Sequence, residues 1–371
     1  MKRMICFFLI LTLLISSGFA FAEGEENTIT ISLAGDVMMD GSVRQQINKY
    51  GYDYPWEKVK DYFMESDLSI VNLETSITTR GNKWPNKQFN FKSNPKNLDS
   101  MKSAGIDMVT LANNHVLDYS NQGFLDTIDH LKKKEIPYVG GGKNKKEALE
   151  GVIIDKKDVK IGVLAFSRVI PDVKWYANNN KAGIVGAYDG YTKEMFKRIE
   201  EMKKEVDILI LSFHWGVERS TKPRPQDIKI AKAAIEAGVD IVMGHHPHVL
   251  QGLEIYKGKP IFYSLGNFVF GGKDTLTRTT MIGQVIIKDK ELERVNLIPC
   301  TIANGRPIPV AGKDREKSIE YINNLSKTFK TNINKDGTIN IVNRMEKGSE
   351  KNVRSSIRGW WCQRGVSYWS L

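Results

Sequence analysis

Along most of the chain, short runs of consecutive apolar residues alternate with longer stretches in which apolar positions recur every third or fourth residue. Runs of the first kind read as strands buried on both faces, and they fall at residues 29–34, 68–73, 108–112, 159–166, 206–213, 239–243 and 261–265. Residues 95–104, 122–133, 193–204 and 225–236 carry helical spacing with charged outer faces. Gly105 and Gly238 follow two of these helices, where a left-handed terminal residue is expected. The strand–helix rhythm predicts an α/β core of two packed layers or a layered sandwich, without fixing strand order.

The ends of the chain follow other patterns. Lys2 and Arg3 precede an apolar run over residues 5–15, and Ala20, Phe21 and Ala22 give a small-x-small site just before the acidic Glu23, Glu25 and Glu26. This reads as a secretory signal peptide over residues 1–22, with an uncleaved N-terminal membrane anchor as the alternative. Cys6 lies inside the apolar run and away from the cleavage site, which makes it a poor lipid-attachment residue. The expected location is outside the cytoplasm, extracellular or at the cell envelope. Residues 28–300 form the expected functional domain and residues 301–371 an extension. In that extension, residues 314–329 have helical spacing, 332–342 suggest a short hairpin around Asp336 and Gly337, and 359–371 are rich in aromatics without a period.

Composition narrows the partners. With 41% hydrophobic and 26% charged residues, the chain is neither disordered nor collagen-like. Three cysteines exclude a disulfide-dense scaffold and suit an extracytoplasmic bacterial setting. The net charge of +11 has no basic-aromatic module behind it, so nucleic acid is not an expected partner. An anionic wall, membrane surface or polyanionic substrate fits the charge equally well.

The ends of the apolar runs carry the chemistry. The first leads into Gly35 and Asp36, the second into Asn72 and Glu74, the third into Asn113, Asn114 and His115, and later ones into His214 and into His245, His246 and His248. Five of the six histidines occupy these positions, and only His130 lies in a charged helix. Ligands bind outside the carboxyl ends of strands in open α/β sheets, so these segments are expected to share one rim.

Imidazoles, carboxylates and an amide oxygen form a ligand mixture suited to divalent Mn, Zn or Fe, which the residues do not distinguish. The candidate metal ligands are Asp36, Glu74, Asn114, His214, His246 and His248, for one or two divalent ions, with Glu74 able to bridge a pair. In an extended segment, His246 and His248 would place both rings on one side of the intervening Pro247. His115 is the candidate catalytic proton carrier, with Asp118 placed to orient it. His245, Asn267 and Arg278 are candidate substrate-binding residues, and Glu218 a candidate partner for a ligand histidine. Trp215 could line a pocket or simply pack. Two ions would suit phosphoryl transfer, and one ion acting on an amide carbonyl is equally open. Gly140, Gly141 and Gly142 lack the Gly-Lys-Ser/Thr continuation of a phosphate-binding loop.

The ordered motifs at residues 35–36, 72–74, 113–115, 214–216, 244–248 and 264–268 resemble the bacterial capsule synthesis protein CapA family over about residues 28–300. That family is associated with poly-γ-glutamate synthesis and export and is similar to the calcineurin-like metallophosphoesterases. The resemblance implies a layered metallophosphoesterase-like sandwich with its metal site at strand C-terminal ends. In it, Asp36 matches the first-strand aspartate, Asn114 and His115 the asparagine ligand and catalytic histidine, and His214, His246 and His248 the later ligands. The chain departs from that pattern at Met38, where the first motif has a histidine, and at Glu74, where an aspartate usually bridges. The first metal is then left with Asp36, Glu74 and His248, with Asp40 or water to complete it, or the site holds a single ion. The implied function is that of an exported, metal-dependent hydrolase of capsule or poly-γ-glutamate biogenesis, cutting an ester or amide linkage. An extracytoplasmic metallophosphoesterase and a non-catalytic polymer-binding or assembly subunit are the alternatives. The implied partners are an anionic polymer such as poly-γ-glutamate and a membrane-bound capsule synthesis complex.

Overall fold

Strands β1 (Thr28–Val37), β2 (Leu68–Leu73), β3 (Met108–Thr110) and β4 (Tyr138–Val139) lie side by side and parallel in a computed structural model that describes residues 28–341. The second group comprises β5 (Val152–Lys156), β6 (Val159–Ser167), β7 (Ile208–His214), β8 (Ile241–His245), β9 (Leu253–Tyr256) and β10 (Lys259–Phe262). These six make a separate sheet in the order β9-β10-β8-β7-β6-β5, parallel except at its two edges.

The first sheet is extended by β11 (Asn267–Val269), which runs parallel against the end of β1. A long antiparallel pair, β12 (Thr279–Lys288) and β13 (Glu291–Ala303), docks β12 on the same edge of β1 as β11, opposite β2. The chain beyond residue 303 stays on this sheet: β14 (Arg306–Pro309) and β15 (Thr338–Asn340) both pair with β13, giving nine strands. The turn at Asp336 and Gly337 forms as the sequence suggests, with Gly337 N donating to Asn334 O at 2.8 Å. Across the turn Asn334 N donates to Thr338 O at 2.9 Å, and the strand leaving it also pairs with β13.

Face alternation explains why the apolar runs are unbroken. Ile29, Ile31 and Leu33 of β1 and Ile70 of β2 meet Ile161, Val163, Ile210, Ile241 and Met243 of the other sheet in a shared inner core. The outer face of the first sheet, with Val37, Val71, Leu73 and Val109, is covered by α1 (Gly41–Tyr50), α2 (Asn97–Ser103) and α3 (Ser120–Lys133). On the second sheet, Leu164, Leu209, Leu211 and Val242 pack under α4 (Thr192–Lys203) and α5 (Pro225–Glu236). The result is a four-layer α/β arrangement, helices outside and two sheets inside. Helix α6 (Gly312–Ser326) closes one end of the inner core through Ile319 and Ile322. Gly105 and Gly238 both take positive φ, as their places just after α2 and α5 require.

Among the described residues, no helix is long and apolar enough to cross a membrane. The signal segment at residues 1–22 and the aromatic-rich stretch at 359–371 lie outside the described residues.

Candidate metal centre

Asp36 sits near the end of β1, Glu74 one residue past β2, and Asn113, Asn114 and His115 follow β3. From the second sheet, His214 ends β7 and His245 ends β8, with His246 and His248 in the next turn. The carboxyl ends of five parallel strands, drawn from both sheets, thus converge on one rim.

Glycines allow the backbones to approach this closely. A Cβ on Gly35 would lie 2.0 Å from the Gly266 carbonyl oxygen, whose partner is Asp36 N at 2.9 Å. The bare backbone at Gly35 therefore lets β11 run against β1 and fixes where the Asp36 carboxylate points.

His246 and His248 do not lie in an extended segment, contrary to the sequence expectation. Both have left-handed backbones, with φ of 95° and 58°, on either side of Pro247. The tight turn, and not strand alternation, brings their rings to a centroid separation of 5.9 Å. Left-handed non-glycine residues cost on the order of 1 kcal/mol or more each, and such strain concentrates at functional sites.

Two groups of candidate ligand atoms result, Asp36 with Glu74 and His214, and Glu74 with His246 and His248, the atoms of each group lying within 4.8 Å of one another. Glu74 belongs to both. His214 joins Asp36 and Glu74 in the first group, and His248, the partner implied by the resemblance, also lies 3.3 Å from Asp36. His214 Nε2 lies 3.3 Å from Glu74 Oε1 and 2.7 Å from Asn114 Oδ1, which brings Asn114 to the same spot. Asp40 does not complete either group, because its carboxylate accepts from Lys92 N at 2.9 Å and pairs with Arg44 at 3.1 Å. Met38 is buried, and its sulfur faces Asp40 N at 3.3 Å.

Whether these residues suit a cation can be judged from their unmet bonding. Both carboxylate oxygens of Glu74 are buried without a hydrogen-bond partner, as is Nδ1 of His246. An unpartnered buried carboxylate is costly, and a shared cation would supply what the protein does not. The mixture of carboxylate, imidazole and amide oxygen fits a divalent transition metal.

Electrostatics follow the same geometry. Burial raises the Glu74 carboxyl well above the usual range, and the neighbouring Asp36 raises it further. Burial also opposes ionisation of Asp36, but hydrogen bonds from His245 and His248 prevail and hold it well below the usual range. Burial depresses His214, and burial with the His248 charge pushes His246 down to about 3. For His248, burial is outweighed by the bond to Asp36, at 3.3 Å, and its imidazole is raised. Neutral His214 and His246 are the protonation states that can ligate a cation.

His115 and Asp118 stand together beside this cluster, His115 Nδ1 lying 2.7 Å from Asp118 Oδ2. Asp118 is fully buried and also accepts from Phe91 N at 2.8 Å. Burial lowers the His115 imidazole despite its carboxylate partner.

Lys87 completes this arrangement, and nothing in the sequence singled it out. Its ammonium lies 2.9 Å from His115 Nδ1 and is hydrogen-bonded to Asp118, with only 12% of its side chain exposed. Asn72 and Asn113 are the other supporting residues. Asn72 Nδ2 donates to Asp36 Oδ1 at 2.9 Å, and its own Oδ1 accepts from Thr110 and from Asn113 at 3.1 and 3.0 Å. Asn113 Oδ1 receives the backbone N–H groups of His115 and Val116, which fixes the turn presenting Asn114 and His115. Adjacency to the ligand residues was the sequence signal for both asparagines.

The three residues expected to touch substrate sit differently. His245 is fully buried behind Asp36, with Nδ1 3.1 Å from its carboxylate, so it faces no open surface. Asn267 spends its side chain internally, Oδ1 2.9 Å from His248 Nδ1 and Nδ2 donating to Thr277 O. Arg278 is exposed and donates to Gly272 O at 3.1 Å, and none of its contacts joins it to the cluster. Glu218 is exposed and holds no ligand histidine, while Trp215 packs, stacked on Phe213 and bonded to Tyr263 O.

The family profile described as bacterial capsule synthesis protein PGA_cap matches residues 30–272, a span that includes every strand end of the cluster. The chain is 33% identical over 305 residues to the PGA biosynthesis protein CapA of Bacillus subtilis, covering 81% of this chain and 79% of that protein. It is 32% identical over 289 residues to the capsule biosynthesis protein CapA of Bacillus anthracis, covering 77% and 70%. A probable polyglutamine synthesis accessory protein of Mycobacterium tuberculosis is 25% identical over 355 residues, covering 82% and 93%.

Proposed function

Because the chain belongs to the bacterial capsule synthesis protein family, we propose that it is an exported, metal-dependent hydrolase of capsule or poly-γ-glutamate biogenesis. The observation that carries the metal-dependent part is Glu74, shared by two ligand groups with both oxygens buried and unpartnered. Asp36, Asn114 and His214 would hold one divalent ion with Glu74, and His246 and His248 a second. Bound there, such ions lower the pKa of a water and neutralise charge developing on the reacting group.

The protein's own residues supply the proton chemistry. Asp118, on Nδ1 of His115, leaves Nε2 free to exchange a proton with a leaving oxygen or nitrogen. Lys87 adds a positive charge beside that histidine, where negative charge on the substrate would gather. The scissile bond in this reading is a phosphoester or a γ-glutamyl amide, in a metallophosphoesterase-like site.

Elemental mass spectrometry of protein purified without chelator, beside His246→Ala/His248→Ala, tests this directly. Bound metal that disappears in the double variant, with hydrolysis of a phosphodiester or γ-glutamyl substrate lost in His115→Ala, supports the reading. No metal in either protein overturns it and favours a polymer-binding or assembly subunit.

A further inference from the structure

Next to the second-sheet wall of the cluster lies an ionic group that the proposed chemistry does not use. Arg168 immediately follows β6, and its N–H donates to the carbonyl of His214 at 2.8 Å. Its side chain runs back to Asp227, whose carboxylate is fully buried at the start of α5. Arg224 binds the same carboxylate with both arms, at 2.7 and 2.9 Å. Asp227 is thus saturated by Arg224, and Arg168 Nε is left 3.7 Å away. That nitrogen is buried with no hydrogen-bond partner, on a residue only 8% exposed.

One carboxylate for two guanidiniums leaves a net positive charge, and among the described residues no other acid pairs with either arginine. The group is open on one side. Arg224 is 26% exposed, and Tyr188, 40% exposed, lies under the Arg168 guanidinium at 5.6 Å. It adjoins the candidate ligands through Arg168, whose backbone N–H holds the His214 carbonyl. Arg168 turns Nε to Asp227 and donates Nη1 to Ala187 O at 2.6 Å, yet with Arg224 and an aromatic face it leaves an excess positive charge suited to a planar anion.

We propose that Arg168, Arg224 and Tyr188 form a carboxylate-binding subsite beside the metal centre, which holds a free side-group carboxylate of a γ-linked glutamate polymer. The polymer's identity rests on the function proposed above; the anion's class rests on the arginines. The subsite would place the chain so that one linkage lies at the metal centre while a neighbouring residue's carboxylate is clamped.

The test measures binding by calorimetry to the full chain, with and without chelator, using oligo-γ-glutamate, the same oligomer with its carboxylates amidated, free glutamate and a glycerol-phosphate polymer. Arg224→Gln is expected to weaken the oligo-γ-glutamate about tenfold, the loss of one charge-assisted contact, with metal content unchanged. The amidated oligomer should bind weakly to parent and variant alike. Arg224→Lys keeps the charge without the planar fork and should fall between the two, which guards against misfolding of the Gln variant. Equal affinity in parent and Arg224→Gln, equal binding of the amidated oligomer, a preference for glycerol phosphate, or no binding by the parent overturns the subsite. Arg224-dependent binding in a protein without metal would sink the hydrolase and leave the subsite standing. Metal-dependent turnover indifferent to Arg224 would do the reverse.

Discussion

Asn267 Oδ1 stands 2.9 Å from His248 Nδ1, on the side of the ring away from Glu74, whose Oε1 is 4.0 Å from Nε2. The amide oxygen can only accept, so it fixes the proton on Nδ1 and leaves the Nε2 lone pair facing the shared carboxylate. Asn267→Ala is therefore expected to lower metal affinity about 10-fold or more, the usual cost of losing an outer hydrogen bond to a ligand histidine. Titration of the metal-free protein checks this. Unchanged affinity would return Asn267 to the substrate-facing role that its position in the sequence suggested.

Glu74→Gln should change metal content more than any single histidine substitution, because only Glu74 belongs to both ligand groups. The metal-free protein should respond in the opposite sense. With its carboxyl raised in the folded state, Glu74 binds a proton more tightly folded than unfolded. Its contribution to stability is therefore present below the unfolded carboxyl range and lost as pH rises through the folded value. In denaturant melts at pH 7 without metal, Glu74→Gln is expected to be at least as stable as the parent. A clear loss of stability would mean that Glu74 has partners in the apo protein.

Lys87→Met removes a positive charge 2.9 Å from His115 Nδ1. Burial is the main cause of the lowered His115 imidazole, and the Lys87 charge adds to it. The variant should raise the His115 pKa, read by NMR titration, and leave metal content unchanged. Any hydrolytic turnover should fall roughly 10- to 100-fold, as expected for disturbing a proton-transfer group. A fixed pKa with altered metal content would reassign Lys87 to the ligand cluster.

The segment carrying Lys87 is itself held by Asp126, which binds Arg80 Nε at 3.0 Å and Thr78 Oγ1 at 2.6 Å. The Arg80 bond lowers the Asp126 carboxyl to about 2. A depressed carboxyl stabilises the fold above its unfolded value, and that stability is lost as pH falls towards about 2. Since Arg80 is largely exposed, solvent screening limits the expected cost of Asp126→Asn to roughly 1 kcal/mol. Parent and variant should converge in stability between pH 4 and about 2. A constant difference across that range would rule out the ionic contribution.

Gly35→Ala is expected to be severe, at several kcal/mol, because the new Cβ would meet a backbone oxygen at 2.0 Å and neither strand can give way cheaply. Chemical denaturation measures the loss. A near-neutral outcome would show that β11 can leave β1.

The parts legible in the sequence were those whose physics is local. Unbroken apolar runs marked β1, β2, β6, β7 and β8 because both sheet faces are covered, and their polar ends marked Asp36, Glu74, His115, His214 and His246. The long β12–β13 pair escaped because Glu291–Ala303 mixes buried with partly exposed positions and Gln284 interrupts the apolar residues of β12. Helix α1 was hidden by Arg44, Gln45, Gln46 and Lys49, since only Val43 and Ile47 are buried. Lys87 lies in a polar loop and meets Asp118 across 31 residues, a pairing no local pattern encodes. The inward placement of His245 and Asn267 was hidden for a related reason: nearness to a ligand along the chain does not say whether a side chain faces outward or supports from behind.

The ligand set straddles the seam between the two sheets, Asp36 and Glu74 on one side and the histidines on the other. This constrains how such a site can decay over evolutionary time. A lineage that lost one histidine and its cation would inherit two mutually repelling acids sealed in the middle of its sandwich. Abandoning the metal thus requires a second, compensating change, most simply a neutral residue in place of Glu74. On the metal-dependent reading proposed above, the residue at that position is accordingly a marker for sorting relatives that keep the ligand set from those that retain only the scaffold.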